Sequence, residues 1–149
     1  MSAIHLRPAR RSDLPALLAL EYSAFTTDHL SERQYRKHID SPTAAVLAAV
    51  DGDALLGSAV VFFRRNSDVA RLYSIAVADA ARGRGVGETL LKGVEHAARE
   101  HGRARLKLEV RQDNASAIRL YERHGYRRLG AHPGFYEDGA DAWRYEKRW

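Results

Sequence analysis

The sequence lacks several features that would point to particular classes of protein. It contains no cysteine, which excludes a disulfide framework, a thiolate zinc site and a cysteine nucleophile. No apolar run approaches the ~18 residues needed to cross a membrane, and no internal repeat, low-complexity segment or linker is present. The segment Met1–Arg7 becomes charged too early for a signal peptide, so we expect a cytoplasmic protein without a membrane partner.

The remaining composition predicts one ordinary globular domain. A chain of 149 residues without a linker is long enough to bury one substantial core, so we expect a single domain over residues 1–149. The formal net charge of +5 is compatible with a nucleic acid or with a small polyanion as partner. The arginines are spread along the whole chain, so nucleic-acid binding has only the net charge in its favour. The seven histidines show no metal-ligand spacing, and no metal site is predicted.

The segment Arg71–Glu100 is the most informative part of the chain. Leu72–Val77 is rich in β-branched and aromatic residues, as in a buried strand. Arg82–Gly87 is a glycine-rich basic loop, and Glu88–Glu100 has the one-sided apolar spacing of an amphipathic helix. A strand, a glycine loop and a helix start together present free backbone N–H groups to a phosphate, because the first N–H groups of a helix lack internal partners. An empty glycine loop at a helix start would have the same pattern.

The spacing of the glycines excludes two common phosphate-binding loops. A dinucleotide fingerprint would need a third glycine at Glu88, and a P-loop would need lysine and a hydroxyl residue after Gly87. The pattern that remains is Arg/Gln-x-x-Gly-x-Gly, formed by Arg82, Gly85 and Gly87. It resembles the loop that binds the acetyl-CoA pyrophosphate in GNAT N-acetyltransferases.

A second signature of the same superfamily follows at the expected separation. Its residues are Leu108-Glu109-Val110-Arg111, Asn114, Ala117, Leu120-Tyr121 and Gly125-Tyr126. This second part is most similar to the ribosomal-protein-alanine N-acetyltransferase branch, which acetylates protein N-termini. The similarity of motifs covers about Leu72–Glu146, and the first half of the chain matches only in layout. Gly134–Asp141 departs from the twin-tyrosine loop of that branch.

The resemblance implies a co-substrate, a set of site residues and an acceptor. It implies acetyl-CoA as co-substrate, no metal, Glu109 as the general base and Tyr121 as the general acid. The residues that it implies in acetyl-CoA binding are Ile75, Ala76, Val77, Arg82, Gly83, Arg84, Gly85, Val86, Gly87, Glu88, Asn114, Ala117 and Tyr121. The partner would be a peptide or protein N-terminus or a small amine, and the protein would be a monomer or a homodimer.

Three of these residues, Glu109, Tyr121 and Asn114, also have a plainer structural interpretation. Glu109 could be a solvated charge paired with Lys107 or Arg105, Tyr121 could be a core aromatic, and Asn114 could only cap its helix. A glutamate of ordinary pKa ~4.3 is a weak base for an α-amine of pKa ~7.7–8.0 and weaker still for a lysine of pKa ~10.4. This difference favours an N-terminal acceptor.

The order of elements predicts an α/β fold. We expect a strand, a helix pair, three strands, a helix, a strand, a helix and two strands, folded as a mostly antiparallel mixed sheet with helices on both faces, as in GNAT proteins. One pair, Leu72–Val77 with Leu106–Val110, should be parallel and joined by a right-handed crossover through the helix. A ligand should bind beyond the carboxyl ends of these two strands.

The early helix pair and a late loop are expected to border the acceptor groove. Ser12 is a plausible cap of the first helix, and its buried face should carry Leu14, Leu17, Leu18, Tyr22 and Phe25. Ser31 and Gln34 have the form of a capping box for the second helix. The late loop, Gly130–Asp141, contributes Phe135 and Tyr136 to the groove.

Four functions remain open from the sequence. The first is an acetyl-CoA-dependent N-acetyltransferase for peptide N-termini, and the second is the same enzyme acting on a small-molecule amine or amino acid. The third is a CoA-sensing module without turnover, and the fourth is a basic nucleic-acid binder. The presence of both Glu109 and Tyr121 favours turnover over sensing.

Overall fold

The computed structural model describes residues 3–149. Met1 and Ser2, the first two residues of the segment whose charge argued against a signal peptide, lie outside the described residues. The observed order is one strand, two helices, three strands, a helix, a strand, a helix and two strands, as predicted. No helix within residues 3–149 is long and apolar enough to span a membrane.

The sheet contains seven strands. They are β1 (His5–Pro8), β2 (Ala44–Asp51), β3 (Ala54–Phe63), β4 (Val69–Val77), β5 (Arg105–Arg111), β6 (Arg127–His132) and β7 (Ala142–Arg148). Their order is β1-β2-β3-β4-β5-β7-β6, and every neighbouring pair is antiparallel except β4 and β5. The predicted mixed α/β sheet with one parallel pair is therefore confirmed.

Four α-helices connect the strands. They are α1 (Leu14–Ala24), α2 (Glu32–Asp40), α3 (Val86–Glu100) and α4 (Ala115–Arg123). The predicted capping box of α2 is present, because the Gln34 amide donates to the Ser31 hydroxyl at 3.1 Å and the Gln34 side chain accepts from the Ser31 amide at 2.9 Å. The Asn114 side chain caps α4 by accepting from the Ala117 amide at 3.2 Å.

The sheet separates two apolar clusters. The larger cluster includes Leu90 and Val94 of α3, packed with Leu106 and Leu108 of β5. The smaller cluster joins α1 and α2 to alternate residues of β2 and β3 on the opposite face, for example Leu17 with Val60. Because strand residues alternate between faces, the neighbours Val60 and Val61 belong to different clusters.

The first helix differs from its prediction. Ser12 lies inside a short 3-10 helix, Arg11–Asp13, and Asp13 is the residue at the N-cap of α1. Tyr22 is 65% exposed and Phe25 follows the helix, whereas Glu21 is buried. The apolar spacing correctly predicted that Leu14 and Leu17 are buried. It wrongly predicted that the buried face ends with Tyr22 and Phe25.

Two other boundaries also shift. Helix α3 begins at Val86 and not at Glu88, because Gly85 adopts φ 77° and serves as the N-cap two residues earlier than predicted. Strand β6 continues to His132 through a register irregularity between Arg128 and Gly130, so the predicted loop from Gly130 is shorter than expected. This irregularity lets the chain pass Gly130, at φ 155°, without ending the strand.

Candidate active site

The parallel strands β4 and β5 separate part-way along their length. Their pairing runs from Val69 with Arg105 to Leu72 with Leu108 and stops there. It therefore lies earlier in β4 than predicted, because only Leu72 of the predicted segment Leu72–Val77 pairs with β5. Strand β3 pairs Val61 with Leu72 and Val60 with Ser74, which leaves Tyr73 as the extra residue of a bulge. Beyond Leu72, β4 continues to Val77 without a partner on its β5 side.

A cavity of about 560 Å³ occupies this opening. Its walls come from the end of α1 and the following loop, from β4 and β5 at the separation, from the start of α4 and from the loop after β6. The two loops meet, because the Glu137 amide donates to Asp28 Oδ2 at 3.3 Å. Phe135 and Tyr136 line the cavity.

Glu109 lies on the cavity side of β5. Leu106, Leu108 and Val110 are buried on the opposite face, as the strict alternation predicted. The Arg71 Nε and Nη2 atoms donate to Glu109 Oε1 at 2.9 and 2.6 Å, so the ion-pair partner is on β4 and is neither Lys107 nor Arg105. No described residue donates to Glu109 Oε2, and the side chain is 16% exposed. Glu109 is therefore held in place with one oxygen available to a ligand.

Tyr121 is both a buried aromatic residue of α4 and a residue of the cavity wall. Its ring is buried on α4 and lies edge-to-face with Tyr126, with centroids 5.7 Å apart. The residue also lines the cavity, and its hydroxyl has no hydrogen-bond partner among the described residues. Burial, with a smaller contribution from Tyr136, raises the pKa of Tyr121 well above the ordinary tyrosine value. The hydroxyl therefore stays protonated and can donate.

The glycine loop at the start of α3 has the backbone that the motif requires. Gly83 and Gly85 have φ values of 83° and 77°, the left-handed region in which glycine is favoured. The first internal bond of the helix joins the Thr89 amide to Gly85 O at 3.0 Å, and no bond within residues 3–149 engages the amides of Val86, Gly87 and Glu88. The Arg84 amide donates to Ala81 O at 3.3 Å.

The arginines of this loop have carboxylate partners. Arg82 Nε lies 3.2 Å from Asp79 Oδ1, and Arg84 Nη2 lies 3.2 Å from Asp51 Oδ2. Asp51 ends β2, so the second ion pair ties the loop to the sheet.

The loop, the unpaired part of β4 and the start of α4 lie together. A Cβ atom added at Gly87 would come within 3.4 Å of Leu120 and 3.9 Å of Val77, so the first turn of α3 lies against both α4 and the end of β4. Asn114 and Ala117 line the cavity at the start of α4. The first turn of α3, the end of β4 and α4 are therefore neighbours at this edge of the sheet.

Comparison with known proteins identifies the family. The model of the Acetyltransferase (GNAT) family matches residues 13–126, more than half of the chain. The chain belongs to the GNAT acetyltransferase family. The family assignment, made from two short signatures in the sequence, is confirmed.

Relatives of this GNAT enzyme include proteins named as N-acetyltransferases. It is 30% identical over 138 residues, 92% of the chain and 90% of the relative, to a Bacillus subtilis (strain 168) protein provisionally named [ribosomal protein bS18]-alanine N-acetyltransferase. It is 31% identical over 137 residues, 89% of the chain and 85% of the relative, to N-alpha-acetyltransferase RimI of Mycobacterium tuberculosis. The ribosomal-protein-S18-alanine N-acetyltransferase of Escherichia coli superimposes with a TM-score of 0.85 at 26% identity, over 98% of this chain and 94% of that one. The GNAT chain described here is an N-acetyltransferase.

Glu21 is a cavity residue of this GNAT enzyme that was not predicted from the sequence. Glu21 is 2% exposed and lines the cavity from α1. Its Oε1 accepts from the Tyr35 hydroxyl at 2.6 Å, and its Oε2 accepts from the Leu30 amide at 3.0 Å. The position of Glu21 on the buried face of α1 could have been predicted, because Glu21 follows Leu14 by seven residues and therefore shares its helical face. The carboxylate fastens the segment between α1 and α2 at the cavity edge.

Arg111 holds the loop on the other side of the cavity. Its guanidinium lies over the Tyr136 ring at 4.7 Å and forms an ion pair with Asp138. That pairing raises the pKa of Arg111 and lowers the pKa of the Asp138 carboxyl. Burial raises the pKa of Tyr136 to about 12, so its phenol is neutral at physiological pH.

Proposed function

We propose that this enzyme transfers an acetyl group from acetyl-CoA to the N-terminal α-amine of a peptide or protein. The observation that carries the proposal is the cavity at the separation of β4 and β5, with Glu109 on one wall and two loops meeting above it. The names of the full-length relatives support the same acceptor class.

Acetyl-CoA would bind along the surface that leads from the glycine loop before α3 to the cavity. The amides of Gly85 to Glu88 would hold the pyrophosphate, with charge from Arg82 and Arg84 nearby. The backbone of Ile75, Ala76 and Val77 pairs with β3 and has no partner on its β5 side, where it would bind the pantetheine arm in the manner of an added strand. Asn114, Ala117 and Tyr121 would line the far side of that arm.

Glu109 and Tyr121 would handle the protons of the reaction. The amine nitrogen attacks the thioester carbonyl carbon, and Glu109 takes the proton that the amine loses, directly or through a water molecule. The carbon–sulfur bond then breaks, and Tyr121 gives its proton to the departing sulfur. The raised pKa of Tyr121 requires that this transfer accompany the breaking of the bond, because the neutral phenol is strongly favoured in its buried site.

The acceptor is inferred from proton affinity and from the shape of the cavity. An α-amine of pKa ~7.7–8.0 is partly neutral at pH 7, whereas a lysine amine of pKa ~10.4 is almost entirely protonated. A carboxylate base therefore suits the α-amine better. Phe135 and Tyr136 offer flat surfaces against which the first residues of a peptide would lie.

The test is the position of the acetyl group on a peptide that carries both kinds of amine. A peptide with a free N-terminus and an internal lysine is incubated with enzyme and acetyl-CoA, and mass spectrometry locates the added group. We expect the label on the α-amine, with an N-terminally blocked peptide of the same sequence as control. Modification of the lysine alone, or turnover only with free small amines, would contradict the proposal.

A further inference from the structure

A second cavity of about 510 Å³ adjoins the first on the same face of the sheet. The two cavities share Arg71, Glu109 and Phe135 in their walls. A group bound at Glu109 therefore lies at the junction of both cavities. A peptide held by its N-terminal amine in the first cavity could extend a side chain into the second.

The floor of the second cavity is polar because of strand alternation. On β5, Leu106 and Leu108 turn toward the larger apolar cluster, which leaves Lys107 and Glu109 on the face of this cavity. On β7, Arg144 pairs opposite Glu109 in the register and lines the same cavity. The apolar residues of α1 and α2 pack on β2 and β3 instead, at the other end of the sheet.

The cavity has a surplus of positive charge. Four of its lining residues, Arg64, Arg71, Lys107 and Arg144, are cationic, and its one carboxylate, Glu109, is engaged by Arg71. Within residues 3–149, the side chains of Arg64 and Lys107 have no hydrogen-bond or ion-pair partner. Arg144 Nη2 lies 2.8 Å from His132 Nδ1, a partner that carries no negative charge.

The nearest buried carboxylate does not neutralise this charge. Glu146 is opposite Lys107 in the β5–β7 register and is 6% exposed. Its Oε1 accepts from Arg105 Nη1 at 3.0 Å, and Arg148 Nε lies 3.6 Å away, so it is already paired with two other cations. Arg64, Lys107 and Arg144 therefore face the cavity without a carboxylate partner among residues 3–149, and their charge is left to a ligand or to solvent.

We infer that the second cavity is a specificity subsite for an acidic side chain within the first three residues of the acceptor peptide. This inference rests on the proposed function. Alternate residues on a strand are ~6.6–6.8 Å apart, and an extended peptide advances ~3.3–3.6 Å per residue, so two peptide residues span the distance from Glu109 to Lys107. A carboxylate there meets unpaired cations, whereas a lysine or arginine meets like charge.

The test compares peptides that differ only in one charge. One peptide has neutral residues at its first three positions, and its derivatives carry a single aspartate or a single lysine at each of these positions. Rates of CoA release at low ionic strength should give kcat/KM values roughly three- to tenfold higher for the best aspartate peptide than for the neutral one, and lower for its lysine counterpart. The preference should shrink at high salt, because screening weakens exposed charge pairs.

Reversing the charge of Lys107 tests whether the preference for aspartate arises in the second cavity. Lys107→Glu should abolish or invert the preference for aspartate, while the variant still acetylates the neutral peptide. Lys107→Gln should reduce the preference for aspartate with less disturbance of the fold. Lys37→Glu, on α2 and lining neither cavity, makes the same change in net charge and should keep the wild-type preference.

The outcomes separate this inference from the proposed function. Turnover of the neutral peptide without any gain from aspartate, or an unchanged preference in both Lys107 variants, would overturn the subsite and leave the N-terminal activity standing. If the enzyme acetylates none of the peptides, both the subsite and the proposed N-terminal activity are overturned. A short oligonucleotide that binds wild type and not Lys107→Glu, with no gain from aspartate, would make the cavity a nucleic-acid site and overturn the inference.

Discussion

Glu109 owes its orientation to a single partner on the neighbouring strand. The Nε and Nη2 atoms of Arg71 both donate to Oε1 of Glu109, so Oε2 is the oxygen available to an incoming amine or water. The ion pair is mostly shielded from solvent, since the Glu109 side chain is 16% exposed. An arginine in this position fixes the carboxylate without covering the atom that would accept the proton.

Replacing this carboxylate should affect the chemical step more than binding. Glu109→Gln keeps the size and the oxygen that Arg71 binds but is not a base, so kcat should fall roughly 10²–10⁴-fold. The affinity for acetyl-CoA, measured by calorimetry, should change little. Glu100→Gln at the exposed end of α3 makes the same chemical change away from the cavity and serves as control. An unchanged kcat and pH–rate profile in Glu109→Gln would assign Glu109 to an ion pair alone.

Tyr121 allows packing and proton donation to be separated in one variant. Tyr121→Phe keeps the ring that packs on Tyr126 and removes a hydroxyl that has no partner among residues 3–149. The melting temperature should therefore change little, while kcat falls roughly 10²–10⁴-fold. A destabilised protein with normal turnover per folded molecule would make Tyr121 a core residue.

The raised pKa of Tyr121 also predicts the alkaline side of the pH profile. A phenol whose pKa in the folded enzyme lies above the ordinary ~10 stays protonated at lower pH, so its proton is lost only as the pH rises past that raised value. Wild-type kcat should therefore show no loss between pH 8 and 10. A fall in that range that Tyr121→Phe abolishes would mean that the hydroxyl titrates normally.

At the scale of elements, the sequence predicted what depends on local periodicity. The alternation of β5 placed Leu106, Leu108 and Val110 in the core, and the glycine spacing located the loop before α3. The early start of α3 was missed, because it depends on Gly85 adopting a left-handed φ, which the residue permits but does not require.

Features that depend on distant partners could not be predicted in the same way. Glu21 is buried because a hydroxyl and an amide from beyond α1 satisfy its two oxygens, and those contacts exist only in the folded chain. The partner of Glu109 is 38 residues away and comes within reach only when β4 pairs with β5. The predicted alternatives, Lys107 and Arg105, are neighbours in sequence, and local reasoning favours such neighbours.

The loop before α3 can be tested with two variants that share the same backbone strain. Gly85 has φ 77°, so any side chain there is strained, although asparagine and aspartate tolerate this region better than most. Gly85→Asp and Gly85→Asn have nearly the same shape and differ in charge. If the amides after Gly85 bind the pyrophosphate, Gly85→Asp should weaken acetyl-CoA binding in calorimetry much more than Gly85→Asn. Equal affinities in two folded variants would move the phosphate site elsewhere.

At the scale of the whole molecule, one sheet links two apolar clusters. Val60 and Val61 are consecutive residues of β3, yet the first packs with α1 and α2 and the second with the cluster of α3. Strand β3 therefore cannot leave one cluster without disrupting the other. The cavity likewise joins distant parts of the chain, because Asp28 follows α1 and Glu137 lies between β6 and β7.

This linkage predicts that the chain unfolds as a single domain. Heat unfolding should show one transition, with a calorimetric enthalpy of about 100 kcal/mol for a chain of this length and an equal van't Hoff enthalpy. Trp143 and Trp149 report on the C-terminal part of the sheet through fluorescence, while far-ultraviolet circular dichroism reports on all helices and strands. Both signals should give the same midpoint.

Acetyl-CoA supplies the second half of this test. A ligand that binds only the folded state adds about 2.7 kcal/mol of stability at a concentration 100 times its Kd. If the cavity and both clusters belong to one cooperative unit, the midpoints from fluorescence and circular dichroism should rise together, by roughly 5–10 °C for a domain of this size. Two separate transitions, or a ligand-induced shift in only one of the two signals, would mean that the two sides of the sheet unfold independently and that the chain is not a single folding unit.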